Sequence, residues 1–286
     1  MIKERASEYP RYSDEWFLDL YFQYGSVDEM IKAHNNSLPI SQAQLHRVIK
    51  KRGIIKAAGR HASMAEVINF FAEKAIDPHI PLEKLYYEKM PHTFRTSVQT
   101  LHRIYKSIET KAVRRSGVAL VITPEGNPEM VLCGKELKNS QTTLLMGYAK
   151  KKEDREDSVL RVLQQEFSKE LAINGKMGRN GEFVKQVVVD KEPFMFLDIT
   201  DVRVMVFRLM LPDKLCNLSI CSSHKVANHA FVPLEALEGD RNLREGVVEI
   251  LRGYGEYLGS KNHLYEPRIS SSRINEKLLA FVEARG

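Results

Sequence analysis

Through the first 115 residues, apolar positions recur three and four apart and no run alternates strictly, a pattern that predicts an almost wholly helical region. Helices are expected from Asp14 to Tyr24, ended by Gly25, from Val27 to His34, capped by Ser26, and from Ser41 to Arg52, stopped by Gly53. A shorter helix is expected from Pro81 to Met90, and another begins at Ser97. Beyond residue 115 the period changes. Val118 to Thr123 is β-rich and runs into a turn through Pro124, Gly126, Asn127 and Pro128. Further strands are expected at Met130 to Cys133, Thr143 to Met146, Phe183 to Val189, Phe194 to Asp198 and Val202 to Leu211. Helices are expected from Asp157 to Ile173, from Asn242 to Leu258, and from Ile274 to Ala284 after a Ser-rich linker. The fold class is therefore α+β, an all-α front followed by a mixed region.

The front half repeats itself. Ser41-Gln-Ala-Gln-Leu-His-Arg-Val-Ile-Lys50 aligns without gaps on Ser97-Val-Gln-Thr-Leu-His-Arg-Ile-Tyr-Lys106, a period of 56 residues. Each copy follows a shorter helix and a turn, the layout of a helix-turn-helix unit whose second helix lies in the DNA major groove. Two such units are expected in tandem, over residues 1–60 and 61–113. The DNA-contacting candidates are Ser41, Gln42, Gln44, Arg47, Lys50 and Lys51 in the first copy, and Arg95, Ser97, Gln99, Arg103 and Lys106 in the second. Hydrogen-bonding side chains near the front of such a helix suit base edges, and the basic ones suit phosphates. The competing reading is a helical packing module with a solvated basic face.

Charge favours the first reading. The net charge is +6, and residues 1 to 115 hold 19 Lys and Arg against 13 Asp and Glu, whereas the remainder is balanced at 24 against 24. A basic module joined to a neutral one fits a polyanionic partner for the first, and duplex DNA is expected over RNA. Across the 286 residues, no apolar run approaches membrane-spanning length, and three cysteines are too few for a disulfide framework. A cytoplasmic protein without a membrane partner is expected, and the layout is compatible with a homodimer. Cys216, Cys221, His224 and His229 lie within fourteen residues, but their spacing fits no common zinc finger. A variable loop explains them equally well.

The helix expected from residue 157 carries two carboxylates one turn apart, Glu166 and Glu170, a spacing that suits a hard metal ion held beside substrate phosphates. An ordinary amphipathic helix with the stripe Val159, Leu160, Leu163, Phe167 and Leu171 would show the same acids on its outer face. The segment also resembles a Nudix box. That pattern runs Gly, five residues, Glu, seven residues, Arg-Glu, an aliphatic residue, any residue, Glu-Glu, any residue, Gly, an aliphatic residue. With Glu166 on the first Glu, Gln165 falls on the Arg, Phe167 on the aliphatic position, Lys169 and Glu170 on the Glu pair, and Ala172 and Ile173 on the last two. Asp157 then takes the upstream Glu, and Gly147 opens the box only across four extra residues.

The resemblance implies a Nudix-like α/β/α sandwich with a mixed sheet over residues 114–260, followed by a linker and C-terminal helix over 261–286. It implies catalytic Glu166 and Glu170, a Mg²⁺ or Mn²⁺ site of Glu166, Glu170 and Asp157, and a nucleotide or other diphosphate compound as ligand. Because Lys169 and Gln165 break the box in this register, metal binding is expected to be weak or absent. Gly147 and the lysines at 150, 151 and 152, ahead of a helix N-terminus, are the candidate phosphate-binding group. In kind the chain resembles Nudix-related transcriptional regulators of NAD metabolism, with the domain order reversed and the DNA-binding part doubled. It also resembles uncharacterised bacterial Nudix-domain proteins. The expected function is a DNA-binding regulator with a ligand-sensing, degenerate Nudix-like domain. The alternative is an active Mg²⁺-dependent pyrophosphohydrolase with a basic targeting module.

Overall fold

The computed structural model describes residues 12–24, 27–35, 37–52, 67, 70–71, 79–90, 96–137, 140–150, 153–168, 192–213, 216–218, 221, 223, 225–260 and 266–283. The first three helices are α1 (Asp14–Tyr24), α2 (Val27–Ala33) and α3 (Gln42–Lys51). They close on their own core of Phe17, Leu18, Tyr21, Phe22, Val27, Met30, Leu45 and Ile49. A capping box opens α3: the Gln44 amide donates to Ser41 Oγ at 3.2 Å, and the Ser41 amide donates to Gln44 Oε1 at 3.0 Å. Arg52 and Lys51 at the other end pair with Asp14 at 3.8 and 3.5 Å, which ties the C-terminus of α3 to the start of α1.

The next two helices, α4 (Leu82–Lys89) and α5 (Val98–Glu109), behave differently. Ser97 caps α5 as Ser41 caps α3, by accepting from the Thr100 amide at 3.2 Å, so the serine that recurs in the repeat is a helix-capping residue. Yet Leu82, Leu85, Leu101, Ile104 and Ile108 belong to the same buried cluster as the sheet that follows. One half of the repeat has a private core and the other is built into the body of the molecule.

The body holds two sheets. Strands β1 (Arg115–Pro124), β4 (Leu145–Tyr148), β5 (Met195–Ile199), β6 (Val202–Leu211) and β8 (Arg268–Ser271) form a five-stranded mixed sheet in the order β4-β1-β6-β5-β8. Its centre is the parallel pairing of β1 with β6, in register from Arg115 with Val202 to Pro124 with Leu211. Strands β2 (Met130–Glu136), β3 (Thr142–Thr143) and β7 (Val226–Pro233) form a smaller antiparallel sheet, β3-β2-β7. Side chains alternate across a strand, so Val118, Leu120 and Ile122 of β1 face helix α6 (Arg155–Val162) while Ala119 and Val121 face α5, α8 (Val247–Gly259) and α9 (Arg273–Glu283). Burial on both faces explains why β1 reads as one apolar run without alternation. A short helix, α7 (Leu234–Glu238), lies between β7 and α8.

The helix expected from 157 to 173 differs from expectation. It starts at Arg155 and turns π-helical over Leu163–Phe167, where the Ser168 amide reaches back to the Leu163 carbonyl at 2.9 Å; Ser168 itself is extended, with φ −147°. Strands β7 and β8 occupy stretches read as a variable loop and a linker. The run Phe183 to Val189 lies outside the described residues. Among the described residues, no helix is long and apolar enough to cross a membrane.

Candidate functional site

Glu153, in the turn before α6, and Arg161, on the last turn of α6, form a two-pronged ion pair. Arg161 Nε lies 3.0 Å from Glu153 Oε1, and Nη2 lies 3.0 Å from Oε2, with the two side chains 2% and 4% exposed. The carboxylate also accepts from the Lys150 amide at 2.8 Å and from Ser158 Oγ at 3.0 Å. Burial pushes the Glu153 carboxyl up, but the Arg161 hydrogen bonds, the Lys150 amide and the guanidinium charge outweigh it and hold the group below the usual carboxylate range. Gly147 of β4 completes the arrangement: a Cβ there would lie 3.1 Å from Val162 Cγ2 and 3.5 Å from Arg161 Nη1, so the strand approaches the helix only because it has no side chain at this point.

These three residues stand at Gly, five residues, Glu, seven residues, Arg, which is the opening spacing of the box with no insertion. This spacing gives the resemblance a second register, four residues earlier than the one placed on Gln165. Leu163 takes the aliphatic position, Val162 the first Glu, Gln165 and Glu166 the Glu pair, and Ser168 the closing Gly. In this register the Arg is present, and two of the three carboxylates that follow it are replaced. Lys169, which in the other register displaces one of them, lies beyond the Glu pair.

Glu166, the remaining acid, sits in the π-helical turn and is buried. Its Oε2 accepts from the Met146 amide at 2.8 Å, and its Oε1 lies 3.9 Å from Lys225 Nζ, next to the start of β7. Burial raises its carboxyl above the usual range, against the pull of Lys225, Arg244 and the Met146 amide. Lys225 Nζ also donates to Gln165 Oε1 at 3.0 Å, and Ser223 Oγ donates to the Gln165 carbonyl at 2.9 Å. His229 Nε2 lies 2.9 Å from the Glu166 carbonyl, which only accepts, so that nitrogen carries the proton. Arg244, whose Nη1 pairs with Glu136 at 2.9 Å, adds a second cation to the neighbourhood.

Mg²⁺ takes oxygen ligands at about 2.1 Å, usually one or two carboxylates with substrate phosphates. Among the described residues, no three of His, Cys, Asp and Glu come together as a metal-holding group. Asp157 does not share a metal with Glu166: nine residues of helix separate them, roughly 13 Å along the axis. Glu170, Lys151 and Lys152 lie outside the described residues, and Lys150 is half-buried beside Glu153. With Glu153 paired to Arg161 and an ammonium beside Glu166, the described residues do not fit a divalent ion. Cys216, Cys221 and His229 form no metal-holding group among the described residues, and His224 lies outside them.

The nucleic-acid candidates divide along the same line as the helices. On α3, Gln42, Arg47, Lys50 and Lys51 are exposed, whereas Ser41 and Gln44 are engaged in the capping box. On α5, Gln99 is exposed and Lys106 pairs with Glu109, but Arg103 Nε reaches 3.3 Å to the fully buried Asp201, in the turn between β5 and β6. Arg115 Nη2 holds the other oxygen of Asp201 at 2.5 Å. Arg47 and Arg103 are equivalent in the repeat and opposite in setting. Arg95 lies outside the described residues.

Sequence reasoning missed Glu153, Arg161 and Lys225. The signal for the first two is the uninterrupted spacing from Gly147; for Lys225 there is none, because its partners lie 60 and 59 positions away.

No protein-family model matches the chain, and no curated protein matches it. Solved structures similar to it include an ADP-ribose pyrophosphatase from Streptococcus suis, at 14% identity over 54% of this chain and 98% of that one, with TM-score 0.37. An Ap4A hydrolase from C. elegans in a binary complex is 15% identical over 51% and 98%, with TM-score 0.37. A Nudix hydrolase from Nitrosomonas europaea is 14% identical over 56% and 80%, with TM-score 0.39.

Proposed function

We propose that the chain is a ligand-responsive DNA-binding regulator whose Nudix-like part binds a nucleotide or another diphosphate compound without cleaving it. The observation that supports this reading is the split state of the box. Its scaffold, Gly147, Glu153, Arg161 and Leu163, is intact and paired, while Val162 and Gln165 replace carboxylates and a lysine neutralises Glu166. Selection for turnover requires groups that hold metal and generate a nucleophile, and these are the groups replaced. The DNA contact is assigned to α3, whose Arg47 and Lys50 are exposed on a helix that packs into its own core through Leu45 and Ile49. Arg103, committed to Asp201, acts as a structural counterpart.

A thermal-shift screen of nucleoside diphosphates and dinucleotides, with and without Mg²⁺, tests this. Binding at one hundred times Kd raises stability by about 2.7 kcal/mol, and no hydrolysis product is expected by chromatography. Turnover at enzymatic rates, abolished by Glu166→Gln, is the result of the competing reading, a working pyrophosphohydrolase.

A further inference from the structure

The family pattern places acids around a divalent cation, and this chain offers one acid with a lysine beside it. We propose that the Lys225 ammonium is the resident cation of this site and makes it a metal-independent receptor for a phosphate or diphosphate anion. The proposal deepens the ligand-binding reading above and rests on it.

Three observations carry it. Lys225 Nζ faces both residues at the Glu-pair positions, at 3.0 Å from Oε1 of the substituted Gln165 and 3.9 Å from Oε1 of the retained Glu166. An ammonium has three N–H donors and no acceptor, and with these two partners and a side chain 44% exposed, a donor remains directed to solvent. The Gln165 amide is oriented by that contact, since its oxygen must face the ammonium. Its Nε2 is then left buried without a hydrogen-bond partner among the described residues. The accessible donor is the ammonium, and a group that only accepts, such as a phosphate oxygen, fits its solvent-facing side. Glu166 has the complementary role. Held by the Met146 amide and facing Lys225, it positions the ammonium and does not coordinate a metal. His229 and Ser223 fix the same turn through the carbonyls of Glu166 and Gln165, which keeps the amide and the ammonium in register.

The experiment uses the full chain, inorganic pyrophosphate as the probe, and calorimetry in EDTA. Wild-type protein should bind pyrophosphate in EDTA with an affinity that added Mg²⁺ does not raise, and Lys225→Met should weaken binding at least tenfold while Lys225→Arg retains most of it. Unaltered binding by Lys225→Met, or binding that EDTA abolishes, overturns the proposal. A second measurement separates this inference from the function proposed above, because it needs no anion. If the lysine replaces a metal, Mn²⁺ leaves the wild-type melting temperature unchanged and raises that of Lys225→Met, in which Glu166 has lost its cation. Absence of pyrophosphate binding overturns the receptor, and with this Mn²⁺ pattern intact it leaves only the ammonium in place of a metal, whereas binding of pyrophosphate without binding of any nucleotide would refute the nucleotide reading alone. A wild-type response to Mn²⁺ that Glu166→Gln removes would refute the lysine assignment.

Discussion

Arg161→Met isolates the ion pair on which the box is built. It takes the guanidinium from a carboxylate whose side chain is 4% exposed and leaves Glu153 with the Lys150 amide and Ser158 hydroxyl as its partners. Breaking one side of a buried pair costs about 3–5 kcal/mol. The size of the loss should depend on pH in a specified direction. In the wild type the Glu153 carboxyl is held below its ordinary value, so its stabilisation is present above the unfolded pKa and disappears as pH falls through the folded one. Without Arg161 two of the influences that lower the pKa are gone while burial stays, so the folded pKa rises. The stability that the ionised carboxylate contributes at higher pH shrinks accordingly, by about 1.4 kcal/mol for each unit of rise. Urea melts of both proteins at about pH 5 and about pH 8 should show the larger deficit at the higher pH. The double variant Glu153→Leu with Arg161→Met should recover most of the loss, since a buried pair replaced by apolar side chains is close to neutral. A deficit below about 1 kcal/mol, or one that does not change with pH, would refute the reasoning.

The two arginines of the repeat should part company: Arg103→Ala should lower stability by about 2–4 kcal/mol through the buried Asp201 it leaves behind, with Arg47→Ala thermally silent. In DNA-binding titrations Arg47→Ala should weaken affinity and reduce the salt slope by about one; unchanged slope and affinity would remove α3 as the DNA contact. Gly147→Val should cost about 1–3 kcal/mol by crowding Val162 and Arg161, read as a fall in melting temperature, and an unchanged melting temperature would mean that strand and helix separate freely. Ser41→Ala should cost about 1 kcal/mol by removing the cap of α3, measured by the same melts.

Much of the architecture is visible in the amino-acid order because its cause is local. Asp14–Tyr24 emerges with the expected bounds, since its apolar stripe and Gly25 are adjacent in the chain, and β6 does so because Val202 to Leu211 is a long β-favouring run. Strand β7 is not visible: Val226–Pro233 carries Asn228 and His229 in its middle and buries Val226 alone, so its identity comes from pairing with β2. The register of the box is not settled by the amino-acid order. Glu166 and Glu170 fit the Glu end of the pattern with Glu166 placed first, and Gly147, Glu153 and Arg161 fit its front; the pairing of Glu153 with Arg161 in space separates the two. The lysine at 225 had no local signature, because its meaning depends on a strand and a helix turn brought together from nearly sixty residues apart.

Asp201 bears on where the protein can be cut. Its carboxylate is shared by Arg103 from the helical front and Arg115 from β1, and its carbonyl receives the amides of Arg114 and Arg115 at 3.0 and 3.1 Å, so the chain crosses from α5 into β1 while bound to one buried anion. A fragment begun at residue 114, where composition invites a boundary, would strip one counter-charge from Asp201 and uncover the sheet face that Leu101, Ile104 and Ile108 close. The severable piece is the bundle of α1 to α3, and an expression fragment that keeps α4 and α5 with the sheet preserves every partner of that carboxylate described here.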